Sequence, residues 1–286
     1  MRGNLIKLMI GVIFAANAIT AQAEGRSVGK NGCGSLPNQA QLKAALIQAV
    51  ADETSGLNLD MWGTIVDRDG VVCAVAFSGA NRGSQWPGSR VISAQKANTA
   101  NSFSLDGLAL STANLYSASQ GTSAATPVGG SLFGLQFSNP VDTEAAYGGN
   151  PAAAGTTQDG MVGKRVGGVN VFGGGLALYN TNNKVVGAVG VSGDTSCADH
   201  MIGWRVRNYL RLDNFGATVG GVAKIFAGDT AHPDNIIYDL AADPNNPNDT
   251  RPPADPKKPG TNGITDGFEQ PTCLGTADQS KLPPVR

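Results

Sequence analysis

Apolar side chains recur at helical spacing near the front of the chain. Leu42, Leu46, Ile47 and Val50 share one face of Gln39–Val50, and Asn38 stands where an N-cap belongs, so the pattern predicts an amphipathic helix. The rhythm then shortens. Gly63–Asp67 and Val71–Phe77 are β-branched runs joined by Arg68-Asp69-Gly70, a strong hairpin signal. Arg90–Asn101 and Leu105–Ser117, both rich in Ala and Asn, predict two helices whose modest apolar faces suit packing on a sheet better than a bundle. Val169–Phe172 and Leu176–Tyr179 flank Gly173-Gly174-Gly175, and Thr181-Asn182-Asn183 turns the chain into Lys184–Val191. That is a second hairpin, its first strand interrupted by the triple glycine. Asp194, Thr195 and Ser196 are cap candidates for a last helix from Cys197 to about Leu212.

Two hairpins separated by helices predict a mostly antiparallel sheet with helices packed on it, an α+β domain over residues 33–216. From Ala241 the pattern dissolves. Nine of the 15 prolines fall in residues 241–286 among Asn, Asp and Lys, which predicts an irregular Pro-rich C-terminal extension without a core of its own. The front is also distinct. Arg2 and Lys7, the apolar run Leu8–Ala16 and Ala21-Gln22-Ala23 follow the charged, apolar and small-residue order of a cleavable secretory signal over residues 1–23. The run falls short of the roughly 20 apolar residues that a membrane span needs. The expectation is an exported protein, periplasmic or extracellular, with no membrane span in its mature form.

Charge narrows the picture by exclusion. Without Arg2 and Lys7, 19 basic residues face 22 acidic ones, a balance with no basic footprint for nucleic acid. Only His200 and His232 are histidines, so no His cluster offers a zinc or iron centre of the usual kind. Cys33, Cys73, Cys197 and Cys273 contain no C-x-x-C pair, which argues against zinc ribbons and thioredoxin-like chemistry. An even number in an exported chain favours two disulfides, with three pairings open.

Several residues are candidates for chemistry. Gly173, Gly174 and Gly175 form either a bulge or a backbone wall whose N–H groups face a flat or anionic ligand. Lys96 is the only charge between Val91 and Leu105 and stands as a clamp for a ligand carboxylate, or as a stem lying on apolar surface. Lys164 and Arg165 are a second cationic pair for carboxylates such as haem propionates. His200 is a candidate haem iron ligand, against the plainer reading of a packed structural histidine. Tyr116, Tyr147 and Tyr179 are further oxygen ligands that nothing in the sequence ranks. Cys197 with His200 admits a thiol nucleophile, but a disulfided Cys197 beside a capping Asp194 is simpler.

Taken in order, Ile65-Val66-Asp67-Arg68-Asp69-Gly70, the Ser-x-x-Lys-Ala-x-Thr-Ala run of Ser93–Ala100, Phe172-Gly173-Gly174-Gly175, and Val186–Gly193 with Asp199 downstream resemble the GlcG/HbpS-like haem-binding family over residues 36–206. The resemblance implies a profilin-like fold, an antiparallel five-stranded sheet flanked by helices, assembled as a homo-oligomer. It also implies haem, or a similarly small flat anionic molecule, as the partner, held for sequestration or sensing rather than turned over. Leu176-Ala177 depart from the proline and aliphatic residue that the family carries after the triple glycine, and the segment 150–164 is longer than the family core. Two rival readings are an enzyme acting on a small organic acid in the same cleft and a structural oligomer subunit.

Overall fold

The computed structural model describes residues 32–120, 130–238, 267–271, 273–275 and 279–286; residues 1–23, expected to be a secretory signal, and most of the Pro-rich stretch lie outside the described residues. In chain order the elements are α1 (Gln39–Ala51), β1 (Trp62–Asp67), β2 (Val72–Phe77), α2 (Ser89–Phe103), β3 (Leu108–Ala109), α3 (Tyr116–Ser119) and α4 (Thr143–Tyr147). After these come β4 (Gly175–Tyr179), β5 (Val185–Ser192), α5 (Ser196–Tyr209), β6 (Gly220–Gly221) and α6 (Val222–Phe226). Four strands form one antiparallel sheet in the order β2-β1-β5-β4, and β3 pairs with β6 in a parallel two-residue ladder.

Local chemistry explains the best-formed elements. Asn38 and Gln41 close a reciprocal capping box on α1. In the β1–β2 turn the Asp67 carboxylate accepts from the Asp69 and Val71 amides, and Gly70 takes φ +76°, a conformation that glycine adopts without a Cβ penalty. Thr195 caps α5 by accepting from the Ala198 amide.

Alternation along the strands sorts two cores. Leu42, Leu46, Ile65, Leu176, Leu178, Val189, Val191, Met201 and Trp204 fill the layer between the sheet and α1/α5, while Val66, Val75, Ala94, Ala97, Met161 and Ala188 fill the α2 side. The α2 layer is thin because small residues meet glycine. A Cβ on Gly190 would stand 1.9 Å from the Ser93 carbonyl oxygen, and one on Gly175 2.5 Å from that of Lys96.

Three expectations are corrected. The sheet has four strands, not five. Val169–Phe172 is no strand: the Asn170 amide donates to Thr99 Oγ1 and the Phe172 amide to Asn170 Oδ1, so side chains satisfy backbone that a ladder otherwise pairs. At the free edge of β2, residues 163–165 exchange two backbone bonds with Val72, too few for a strand. Nor is Leu105–Ser117 one helix; Leu105 and Leu108 bond each other across a tight turn, and Ser111 and Asn114 start a new 3-10 turn.

The cysteines pair as Cys33–Cys73 and Cys197–Cys273. The second bond joins α5 to the C-terminal segment, whose described residues lie along that helix. Trp204 Nε1 donates to the Pro283 carbonyl, and the Phe215 amide donates to that of Arg286.

Candidate functional site

The residues singled out in the sequence divide among three places. Lys96 and the triple glycine lie inside the fold. Lys96 is fully buried, and its ammonium donates to Asp199 Oδ2 at 2.6 Å and to the Val191 carbonyl at 3.1 Å, with Ser192 Oγ at 3.4 Å. The other Asp199 oxygen accepts from the Gly193 and Asp194 amides at 3.0 and 2.8 Å. Burial pushes the Asp199 carboxyl up to about 6 against the pull of Lys96, and burial draws the Lys96 ammonium down. This lysine spans from the α2 helix to the head of α5 and is fully engaged there.

Two of the three glycine N–H groups are engaged as well. The Gly173 amide donates to Ser196 Oγ at 2.6 Å and the Gly175 amide to Thr112 Oγ1 at 2.9 Å. Side chains are excluded here by α5 and β5: a Cβ on Gly173 would meet the Ser196 carbonyl oxygen at 2.3 Å, and one on Gly174 would meet that of Val191 at the same distance. The run therefore serves close backbone packing.

His200 sits one turn into α5, wholly buried, its ring 6.2 Å from that of Trp204. Burial holds its pKa down at about 3, against a hydrogen bond from its ring to Asn235, so the imidazole is neutral at physiological pH. A neutral imidazole has the right chemistry for a metal ligand, but this one is closed off from solvent.

Lys164 and Arg165 lie at the opposite edge of the sheet, both exposed; Arg165 Nε donates to the Asp69 carbonyl at 2.7 Å. Lys164 borders a third region that sequence reasoning did not assemble. Here a cleft of about 410 Å³ opens where the N-terminal end of α2 meets residues 147–154. Trp62, Pro87 and Pro151 give it apolar walls, and Arg82, Tyr147 and Asn150 give it polar groups. Lys164 Nζ lies 3.6 Å from where a Cβ on the lining Gly148 would stand.

The cleft's shape is held by one buried ion pair. Arg90 on α2 grips the Asp159 carboxylate with two guanidinium nitrogens and donates a third bond to the Ala146 carbonyl. Asp159 in turn accepts from the Gly155 and Met161 amides. Segment 143–163 is thereby fastened to α2. Tyr147 protrudes from it, 68 % exposed, and its hydroxyl makes no hydrogen bond among the described residues. Of these residues only Tyr147 and Lys164 drew attention in the sequence. Arg82, in the polar turn Asn81-Arg82-Gly83, carried no signal that set it apart from a solvated loop.

A family model described as haem-degrading, HbpS-like protein matches residues 39–205, more than half of the chain. No curated protein matches. Among solved structures the chain is similar to Klebsiella pneumoniae protein ORFY, at 27% identity over 60% of this chain and 87% of that one, TM-score 0.39. It is also similar to a PduOC–heme complex, at 20% identity over 59% and 89%, TM-score 0.39. A third similarity is to a double mutant of Streptomyces reticuli HbpS, at 15% identity over 59% and 82%, TM-score 0.30. The chain belongs to the HbpS-like family.

Proposed function

We propose that this HbpS-like protein binds haem, or a similarly flat carboxylate-bearing molecule, in the cleft between the N-terminal end of α2 and residues 147–154. The observation that carries the reading is the cleft's lining. Apolar walls from Trp62 and Pro87 suit a planar ring system, while Arg82 in the lining, with Lys164 close to the lining Gly148, suits its carboxylates. The donor set fits haem. The Tyr147 phenol is exposed and unengaged, an oxygen ligand of the kind that holds haem iron. Haem would supply the iron chemistry; the chain would supply orientation, charge and a surface that keeps one face dry.

In this reading Lys96, Gly173, Gly174, Gly175 and His200, all inside the fold, support the frame, Lys164 meets a ligand carboxylate, and Arg165 stays turned to Asp69. Two disulfides suit an oxidising compartment, consistent with export to the periplasm or beyond. In that setting the protein would sequester or sense its ligand.

Hemin titration followed at the Soret band tests the reading. The expected result is saturable binding, weakened about tenfold by Arg82→Ala, the scale of one partly exposed charge-assisted hydrogen bond. Tyr147→Phe is expected to move the Soret and visible bands. Binding unchanged in both variants, or no saturable binding in the parent, refutes the cleft as the site.

A further inference from the structure

The Cys197–Cys273 bond joins two unlike partners. Cys197 is wholly buried in the first turn of the 14-residue α5, whereas Cys273 is half-buried beside Leu274, which is 72% exposed. The segment that Cys273 belongs to lies beyond the family-matched residues and covers the head of α5 with polar contacts. Ser117 and Glu269 exchange backbone and side-chain bonds, Ser196 Oγ donates to Gln270 Oε1, and the Gly56 amide donates to the Gly275 carbonyl at 2.8 Å. Glu269 and Gln270 are both buried, so this cover is held by hydrogen bonds and one covalent bond more than by apolar packing.

We infer that Cys197–Cys273 is a redox modification site, a latch that a dithiol opens to release residues 267–271 and 273–275 from the head of α5. The geometry sets the direction of exchange. A dithiol's thiolate reaches the half-exposed Cys273 sulfur, forms a mixed disulfide there and expels Cys197 as the thiolate. Gln270 Nε2 donates to the Cys197 sulfur at 3.5 Å, which favours that leaving group, while the Cys197 amide donates to Cys273 Sγ at 3.1 Å. The second thiol of the reductant then attacks the mixed disulfide, leaving a cyclic disulfide and, after one proton is taken up, two cysteine thiols. At the Cys33–Cys73 bond both cysteines are half-buried, but the buried Asp67 carboxylate lies within 4.8 Å of both sulfurs and repels an incoming thiolate. The latch thus opens before the second disulfide and on the face of the sheet away from the cleft, and it is independent of the haem reading.

Limited treatment of the full chain with dithiothreitol, followed by differential alkylation and mass spectrometry, tests the order. The first two thiols are expected at positions 197 and 273. Hydrogen exchange on the same sample is expected to quicken at least 100-fold at the Gly56, Ser117 and Gln270 amides while the β1 and β5 amides keep their protection. Cys197→Ala/Cys273→Ala is expected to show that exchange pattern without reductant. Thiols appearing first at 33 and 73 overturn the proposal. So does continued protection of the three amides once 197 and 273 are free, and so does joint loss of protection in β1 and β5, which makes the bond a brace for the whole fold.

Discussion

Lys96 offers the sharpest test of how the interior is built. Its ammonium and the Asp199 carboxylate are both buried at 2.6 Å separation, and the two chain positions are 103 residues apart. Removing one member of a buried pair leaves an uncompensated charge, at a cost of roughly 3–5 kcal/mol. The two singles differ in what they strand. Lys96→Met keeps the length of the side chain and leaves a carboxylate that still accepts from the Gly193 and Asp194 amides, and that carboxylate, already raised to about 6, can take a proton. About 3 kcal/mol is expected. Asp199→Ala strands the ammonium and both amides, so the upper end, about 5 kcal/mol, is expected. The double variant strands the amides without a charge and is expected near 3 kcal/mol, which makes the coupling several kcal/mol. Urea unfolding at pH 7.5, followed by circular dichroism with the disulfides intact, measures all four corners of the cycle. Singles below about 1 kcal/mol with coupling under about 0.5 kcal/mol refute the buried pair. Lys96 would then reach solvent and regain the role of ligand clamp, which a fall in hemin affinity in Lys96→Met would confirm.

Two further outcomes follow from buried positions. His200 has a depressed pKa of about 3, so the unfolded chain takes its proton first and stability drains as pH falls from about 6.5 towards 3. At pH 4.5 that loss is on the order of 2–3 kcal/mol, and Asp199, raised to about 6, works the opposite way between about 6 and 4. Urea titrations at pH 7.5 and 4.5 of the parent and His200→Leu isolate the histidine: the variant's pH dependence is expected to differ by roughly that amount, and parallel curves would falsify the closed, neutral imidazole. Gly190→Ala forces a Cβ to within 1.9 Å of the Ser93 carbonyl oxygen and is expected to cost at least about 3 kcal/mol, while Gly34→Ala, which meets nothing within 4 Å, is expected to be neutral on thermal unfolding.

What the chain declared locally, it kept. Asn38 capped the helix it stood before, Asp67-Arg68-Asp69-Gly70 made its turn, and Asn180 and Asn183 turned β4 into β5 with the Asn180 carboxamide accepting from the Asn182 and Lys184 amides. These signals act within four residues, through a side chain bonding nearby backbone, and such chemistry reads directly from sequence. Val169–Phe172 misled because β-propensity measures fit to a half-buried pleated surface, and Val171 is buried without being in a sheet. Its backbone found Thr99 and Asn170 instead of a strand, a choice made by tertiary contact.

The candidate site was less legible for the same reason, seen from the other side. A lysine on a neutral helix reads as a clamp until a carboxylate 103 positions away is brought to it. Three glycines read as an anion wall until Ser196 and Thr112 take the amides of Gly173 and Gly175. Both readings assume that unusual residues face a ligand, whereas here they let helices approach a sheet closely and then satisfy what the approach buries. The open cleft arises elsewhere, where the Arg90–Asp159 grip folds segment 143–163 against α2. In this protein, then, the lysine and glycine motifs build the frame, and the accessible surfaces lie apart from them: the cleft on one face of the sheet and the disulfide-held cover on the other.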